Sequence, residues 1–328
     1  MSQPGAAPKT PAPILVIRGG AIGDFLLTLP VFAALRAQFP RSRLEVIGYA
    51  HITPLAVAGG LVDDARSIDA RPLAGFFARH GTLDPALCEY FARFGLIVSY
   101  LYDPDFIFQT NVRLVSAAQF LAGPHRPDEQ LAVHATDVFL RPLERLAIFG
   151  ADAQPRLRLE PSHTPGSLSR AAADNIVTLA LHPGSGSESK NWPEANWERF
   201  IDWLVAETPV RFLLVGGEAE GGRLERLVAR IPEARRELAF HRPLVELGAR
   251  LSQCAGFVGH DSGITHLAAA LNLPLLILWG NSNEAIWRPR CQHQIILRAV
   301  AGLRSLSVDT VCQAARDFLT LCHQSREL

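Results

Sequence analysis

Short runs of consecutive apolar residues alternate along this chain with longer stretches in which apolar positions recur every three or four residues. The first run, ILVI (14–17), opens into a glycine-rich turn and then into FLLTLPVFAALRAQF (25–39), whose spacing predicts a helix. RLEVIGY (43–49), ARSID (65–69) and LIVSYL (96–101) follow as predicted strands, with LDPALCEYFARFG (83–95) and HATDVFLRPLERLAIFG (134–150) as helices. Strands alternating with helices are the rhythm of a parallel sheet with crossover connections. Residues 151–174 break the periodicity with three prolines, a glycine and several serines, as an interdomain connection does.

The alternation then restarts. NIVTLALHP (175–183), VRFLLVGG (210–217), AGFVGH (255–260) and PLLILWG (274–280) read as strands, and EANWERFIDWLVAE (194–207), GGRLERLVARI (221–231) and ITHLAAAL (264–271) as helices. The expected organisation is a tail at 1–13, one α/β domain at 14–165 and a second at 166–328, each a doubly wound, Rossmann-like sheet. Such sheets bind ligands at the carboxyl ends of their strands, so the expected site of the pair is a central cleft.

Composition narrows the function classes. The 328 residues are 48% hydrophobic and 20% charged, with zero formal net charge. Residues 1–165 carry 15 basic and 15 acidic side chains, so neither half has the excess of a general nucleic-acid binder. The first thirteen residues lack the apolar core of a signal peptide and no run approaches the length of a membrane span, which predicts a cytoplasmic protein. Five cysteines without a CxxC pair or zinc-spaced histidines argue against a metal site, a disulfide framework and a metal cofactor. They read instead as buried apolar residues.

Candidate chemistry gathers in four loops, each directly after a predicted strand: RGGAIGD (18–24), HPGSGSESKNWP (182–193), GGEAEGG (216–222) and HDSGIT (260–265). Of 32 basic residues only Lys9 and Lys190 are lysines, and Lys190 lies in the second loop. There Gly184 and Gly186 permit close backbone approach, Ser185 and Ser187 offer hydroxyls, and Lys190 adds a mobile point charge, a set that suits a phosphate. In the fourth loop Ser262 and Gly263 precede a helix whose unpaired N–H groups favour an anion. Two anion sites in one domain suggest a diphosphate.

Plainer readings compete at each position. Asp24 also fits a helix cap, as do Asp261 and Ser262, and His266 fits a satisfied core histidine. Trp192, Trp197 and Trp203 at near-helical spacing read mainly as core. Gly19, Gly20 and Gly23 do not have the GxGxxG spacing of a dinucleotide fingerprint, and GxxxxGK[ST] is absent.

The series IRGGAIGDFLLTLPVFAALR, HPGSGSESKNWP and VGHDSGITHLAAALNLPLLILWG, in that order, resembles the heptosyltransferases of glycosyltransferase family 9 from about residue 14 to 320. The resemblance implies the two-domain glycosyltransferase-B fold, with the acceptor on the N-terminal domain and the nucleotide sugar on the C-terminal one. A last helix near 308–322 would pack back toward the first domain. It implies inverting, metal-independent transfer of heptose from ADP-heptose to a lipid-linked glycan of the lipopolysaccharide inner core, with possible peripheral contact at the inner membrane and no nucleic-acid partner. Asp24 would be the general base and Lys190 the cation on the donor diphosphate, with Gly184, Ser185, Ser187, Ser262, Gly263 and His266 around it. Asp261 would lie near the sugar or the turn, and Glu220, in competition with Glu218, would reach the ribose. Arg18, Gly23 and Arg113 would meet the acceptor. The likeness is interrupted at Gly280-Asn281-Ser282, where the family commonly has Gly-Pro-Thr, and across YLYDPDFIFQTNVR (100–113). A nicotinamide-dependent oxidoreductase and a silent sugar-nucleotide binder are the alternatives from other classes.

Overall fold

A computed structural model describes residues 11–160, 176–217 and 221–324. Its first sheet contains β1 (Ile14–Arg18), β2 (Leu44–Gly48), β3 (Asp64–Ser67), β4 (Leu96–Ser99) and β5 (Gln119–Ala122), all parallel in the order β3-β2-β1-β4-β5. The second contains β6 (Thr178–His182), β7 (Arg211–Gly216), β8 (Arg236–Phe240), β9 (Gly256–His260), β10 (Leu275–Trp279) and β11 (Gln294–Arg298), parallel in the order β11-β10-β9-β6-β7-β8. Both are doubly wound. The strand order reverses between β1 and β4 in one and between β6 and β9 in the other, and a ligand crevice opens at such a reversal.

The helices are α1 (Ile22–Leu26), α2 (Leu29–Gln38), α3 (Pro54–Ala58), α4 (Pro85–Ala92), α5 (Ile107–Val115), α6 (Ala135–Leu140), α7 (Glu194–Glu207), α8 (Gly221–Ala229), α9 (Leu244–Leu251), α10 (Gly263–Ala270), α11 (Glu284–Trp287) and α12 (Val308–Gln324), most of them in the crossovers between parallel strands. The single helix expected over 25–39 is two, because Pro30 supplies no N–H and starts a new helix at the second position of α2. Pro142 likewise converts the end of the predicted 134–150 helix into a 3-10 turn over Arg141–Leu146. Strands β1, β2, β4, β6, β9 and β10 are buried along their whole length, as expected of parallel strands covered on both faces. Trp192 and Trp197 are fully buried and Trp203 packs partly buried on the same core, in agreement with their core reading. All five cysteines are free, and Cys254, Cys312 and Cys322 are buried.

The chain divides into two compact units, but not at a single cut. Among the described residues, one holds those up to Gly20, Thr28–Arg126 and Val138–Asp152; the other holds Ala21–Leu27, Pro127–Asp137 and those from Ala153 onward. The sequence places the division at 165/166, whereas residues 153–160 already lie on the second unit. Leu157 is buried there and its N–H donates to the Ala270 carbonyl at 2.8 Å. α12 lies on the face of its own sheet beside α7: a Cβ on Gly256 of β9 would stand 2.5 Å from Cys322 Sγ and 2.6 Å from Phe318 Cζ. No described helix is long and apolar enough to cross a membrane.

Candidate functional site

The loops that follow β6 and β9 stand side by side in the second unit because those strands are neighbours, with His182 opposite Gly259. His260, at the end of β9, fastens one loop to the other. Its Nε2 accepts the Trp192 N–H at 3.0 Å, so its Nδ1 carries the proton and donates to the Gly184 carbonyl at 3.2 Å. Burial pushes its pKa down to about 4, and it stays neutral near pH 7. Ser185, also buried, tightens the same loop. Its Oγ lies 2.7 Å from the Ser187 carbonyl and 2.8 Å from Asn191 Oδ1, and accepts the Ser187 N–H at 3.3 Å.

That bracing sets Lys190 at the end of a 3-10 turn over Glu188–Lys190. Its Nζ donates to Asp261 Oδ2 at 2.7 Å, and the Ser282 hydroxyl donates to the same oxygen at 2.6 Å. The lysine side chain is 43% exposed and the aspartate 9%. An anion in the crevice can therefore reach the ammonium without uncovering the carboxylate. Ser262 caps α10, its Oγ accepting the Thr265 N–H at 3.3 Å, with His182 Nδ1 at 3.4 Å. Burial holds His182 near 3, with the neighbouring His260 acting in the same direction.

Asp24 reaches this place through backbone contact. A Cβ on Gly263 would lie 2.8 Å from Ile22 Cβ and 3.2 Å from the Gly23 nitrogen, and a Cβ on Gly23 would lie 3.2 Å from His266 Cδ2. The two glycines thus let α1 sit against the start of α10. Asp24 Oδ2 accepts the Ala21 N–H at 2.9 Å, so the capping contact exists at the same carboxylate as the expected chemistry. His266 lies among these groups. Burial dominates and lowers its pKa to about 4, while the charges of Asp261 and Asp24 pull upward and those of His134 and Lys190 pull downward.

Thus Gly23, Asp24, Gly184, Ser185, Ser187, Lys190, Asp261, Ser262, Gly263 and His266 all fall in the second unit. Gly186 is exposed, with open space where a Cβ would stand. Glu218 and Glu220 lie outside the described residues. Arg18 belongs to the first unit and is 2% exposed; its guanidinium donates to the His125 carbonyl at 2.9 Å and lies 4.5 Å from the Phe139 ring centroid. This arginine ties strand β1 to its surroundings, so the acceptor contact expected of it does not fit its burial. Arg113 is exposed on the last turn of α5. His260 and Ser282 were not singled out from the sequence. His260 had a signal, a polar residue ending an apolar strand, whereas Ser282 was visible only as a departure from the family turn.

The family model described as "Glycosyltransferase family 9 (heptosyltransferase)" matches residues 114–314. Lipopolysaccharide heptosyltransferase 3 of Escherichia coli is 23% identical over 300 residues, covering 83% of this chain and 85% of that protein. Among solved structures, a family 9 glycosyltransferase from Veillonella parvula superposes with a TM-score of 0.75 at 19% identity, over 94% of this chain and 97% of that one. E. coli ADP-heptose lps heptosyltransferase II superposes with a TM-score of 0.73 at 18% identity, over 96% and 100%. These likenesses carry the glycosyltransferase-B fold.

Proposed function

The chain belongs to glycosyltransferase family 9, and on that premise we propose that it is an inverting transferase moving heptose from ADP-heptose to a lipopolysaccharide inner-core or related lipid-linked glycan. Family membership leaves the nicotinamide-dependent oxidoreductase without support, and the presence of both Asp24 and Lys190 argues against a silent binder.

One observation carries the reading: Lys190, Asp261 and the start of α10 meet in the second unit, with α1 and its Asp24 set on that same helix start. The unpaired N–H groups of α10 and the Lys190 ammonium form the seat of the donor diphosphate. When the anomeric C–O bond breaks, its electron pair goes to the diphosphate, and Lys190 offsets the growing charge where transition state and ground state differ. Asp24 takes the proton of the acceptor hydroxyl, whose oxygen bonds the anomeric carbon on the face opposite the departing nucleotide. Asp261 and Ser282 hold Lys190 in reach of the diphosphate before the donor arrives. Ser187 and Ser262 add hydroxyls beside it, and Ser185 holds the loop that carries it. Glu220 serves the ribose, Arg113 serves the acceptor, and a lipid-linked acceptor brings the protein to the cytoplasmic face of the inner membrane.

The test is a melting-temperature panel with ADP, GDP, UDP and NAD, followed by transfer from ADP-heptose in EDTA. A ligand at 100 times its Kd stabilises the folded state by about 2.7 kcal/mol. ADP alone of the four should produce such a shift, and transfer should survive the chelator. A shift with NAD or UDP in place of ADP would overturn the donor assignment.

A further inference from the structure

Beside the Lys190 crevice, the second unit holds a cavity of about 550 Å³ lined by His134, Asp137, Glu284, Arg288, Arg290 and Arg298 among others. Three guanidiniums therefore face two carboxylates. Arg290 is committed, donating to both oxygens of Asp137 at 2.8 and 2.5 Å. Arg298 stands 3.9 Å from Glu284, too far for a hydrogen bond. Arg288 has no carboxylate within 4 Å among the described residues, although its backbone is pinned: His134 Nε2 donates to its carbonyl at 2.8 Å, the Thr136 N–H occupying the other ring nitrogen. Burial lowers the His134 pKa, so the ring adds no charge near neutral pH. The lining is left with one net positive charge, three arginines against two acids, and with two exposed guanidiniums free of tight pairing.

The cavity adjoins the reacting groups. Ser282, whose hydroxyl donates to Asp261, is two residues from Glu284 in the cavity wall. The volume suits one sugar residue with a substituent. Planar guanidiniums pair with carboxylate and phosphate oxygens through two parallel N–H groups. We infer that this cavity binds an anionic group, a phosphate ester or a carboxylate, on the glycan acceptor. The inference rests on the glycosyl-transfer reading, in which Lys190 and the α10 start already provide for the donor diphosphate.

The experiment uses the full chain with ADP present, and two probes, glucose 6-phosphate and glucuronate, titrated by NMR against wild type and Arg288→Gln/Arg298→Gln. Glucose is the uncharged control. At least one anionic probe should bind in the millimolar range and weaken about tenfold or more in the double variant, as expected from losing charged hydrogen bonds. Which probe binds distinguishes phosphate from carboxylate. Both arginines are exposed, so the variant should melt with wild type, and its ADP affinity should not change. Equal probe affinity in the two proteins, or no binding of either anion, or binding of glucose as tight as theirs, overturns the inference. Failure of ADP to bind wild type would instead strike the donor reading, and the two results are read separately on the same samples.

Discussion

Lys190 and Asp261 face each other across 2.7 Å, one on the loop after β6 and the other on the loop after β9, at the point where the order of the second sheet reverses. The ammonium is half exposed and its partner buried. A lysine held in this way is positioned before any ligand arrives, while its remaining N–H groups stay available.

Replacing Lys190 by Met should therefore weaken ADP binding about ten- to a hundredfold, the worth of a charged hydrogen bond, and lower turnover as well. Lys190→Arg should recover only part of either, because the planar fork cannot bond Asp261 and a diphosphate in the geometry of a point charge. Calorimetry at one salt concentration reads the affinity. Unchanged ADP affinity in Lys190→Met would sink the diphosphate assignment.

Asp24→Asn preserves the size of the side chain and its acceptor for the Ala21 N–H. The variant should lose about 10² to 10⁴ in turnover, the usual worth of a positioned base, with ADP affinity nearly unchanged. Near-normal turnover would leave Asp24 as a cap alone.

The contact that brings α1 to α10 can be opened by one methyl group. Gly263→Ala puts a Cβ 2.8 Å from Ile22 Cβ, and backbone on both sides must shift, at a cost of about 1 to 3 kcal/mol. The expected result is a lower melting temperature and a larger fall in turnover than in ADP affinity, since a displacement of about 1 Å at Asp24 costs on the order of 10² in rate. Turnover equal to wild type in this variant would show that Asp24 need not rest on the α10 start.

Stability should fall on acidification in a window set by His182, His260 and His266. Their folded pKa values, about 3, 4 and 4, lie below the value of 6.5 for an unperturbed imidazole. Above about pH 6.5 both states hold these rings neutral and no penalty exists. Below it the unfolded chain takes up protons that the fold refuses, so each ring costs up to about 1.4 kcal/mol per pH unit until pH reaches its folded pKa. Urea midpoints at pH 7, 6 and 5 should drop progressively, and a His260→Gln variant, though less stable at pH 7, should show a shallower drop. A flat profile between pH 7 and 5 would mean that these rings titrate normally.

Local sequence settled the central strands, most helices and three of the four candidate loops, those after β1, β6 and β9. An apolar run buried on both faces and a helix with one apolar stripe each carry their own period, and the order of strand, loop and helix follows from them. Three of the four edge strands escaped this reading: Gln119–Ala122, Arg236–Phe240 and Gln294–Arg298 are only partly buried, so their apolar signal is short and mixed with polar residues. The split of the 25–39 helix at Pro30 was legible in principle. Tertiary structure alone decided which loops meet. Lys190 and Asp261 are 71 residues apart, and only the adjacency of β6 and β9 joins them. Asp24 comes to α10 because two glycines leave no side chain between the helices, and Arg18 is withdrawn from solvent because the His125 carbonyl and the Phe139 ring close over it. A residue's own neighbours encode how it is buried, whereas the charge it faces depends on strand order and on the space left by residues far away in the chain.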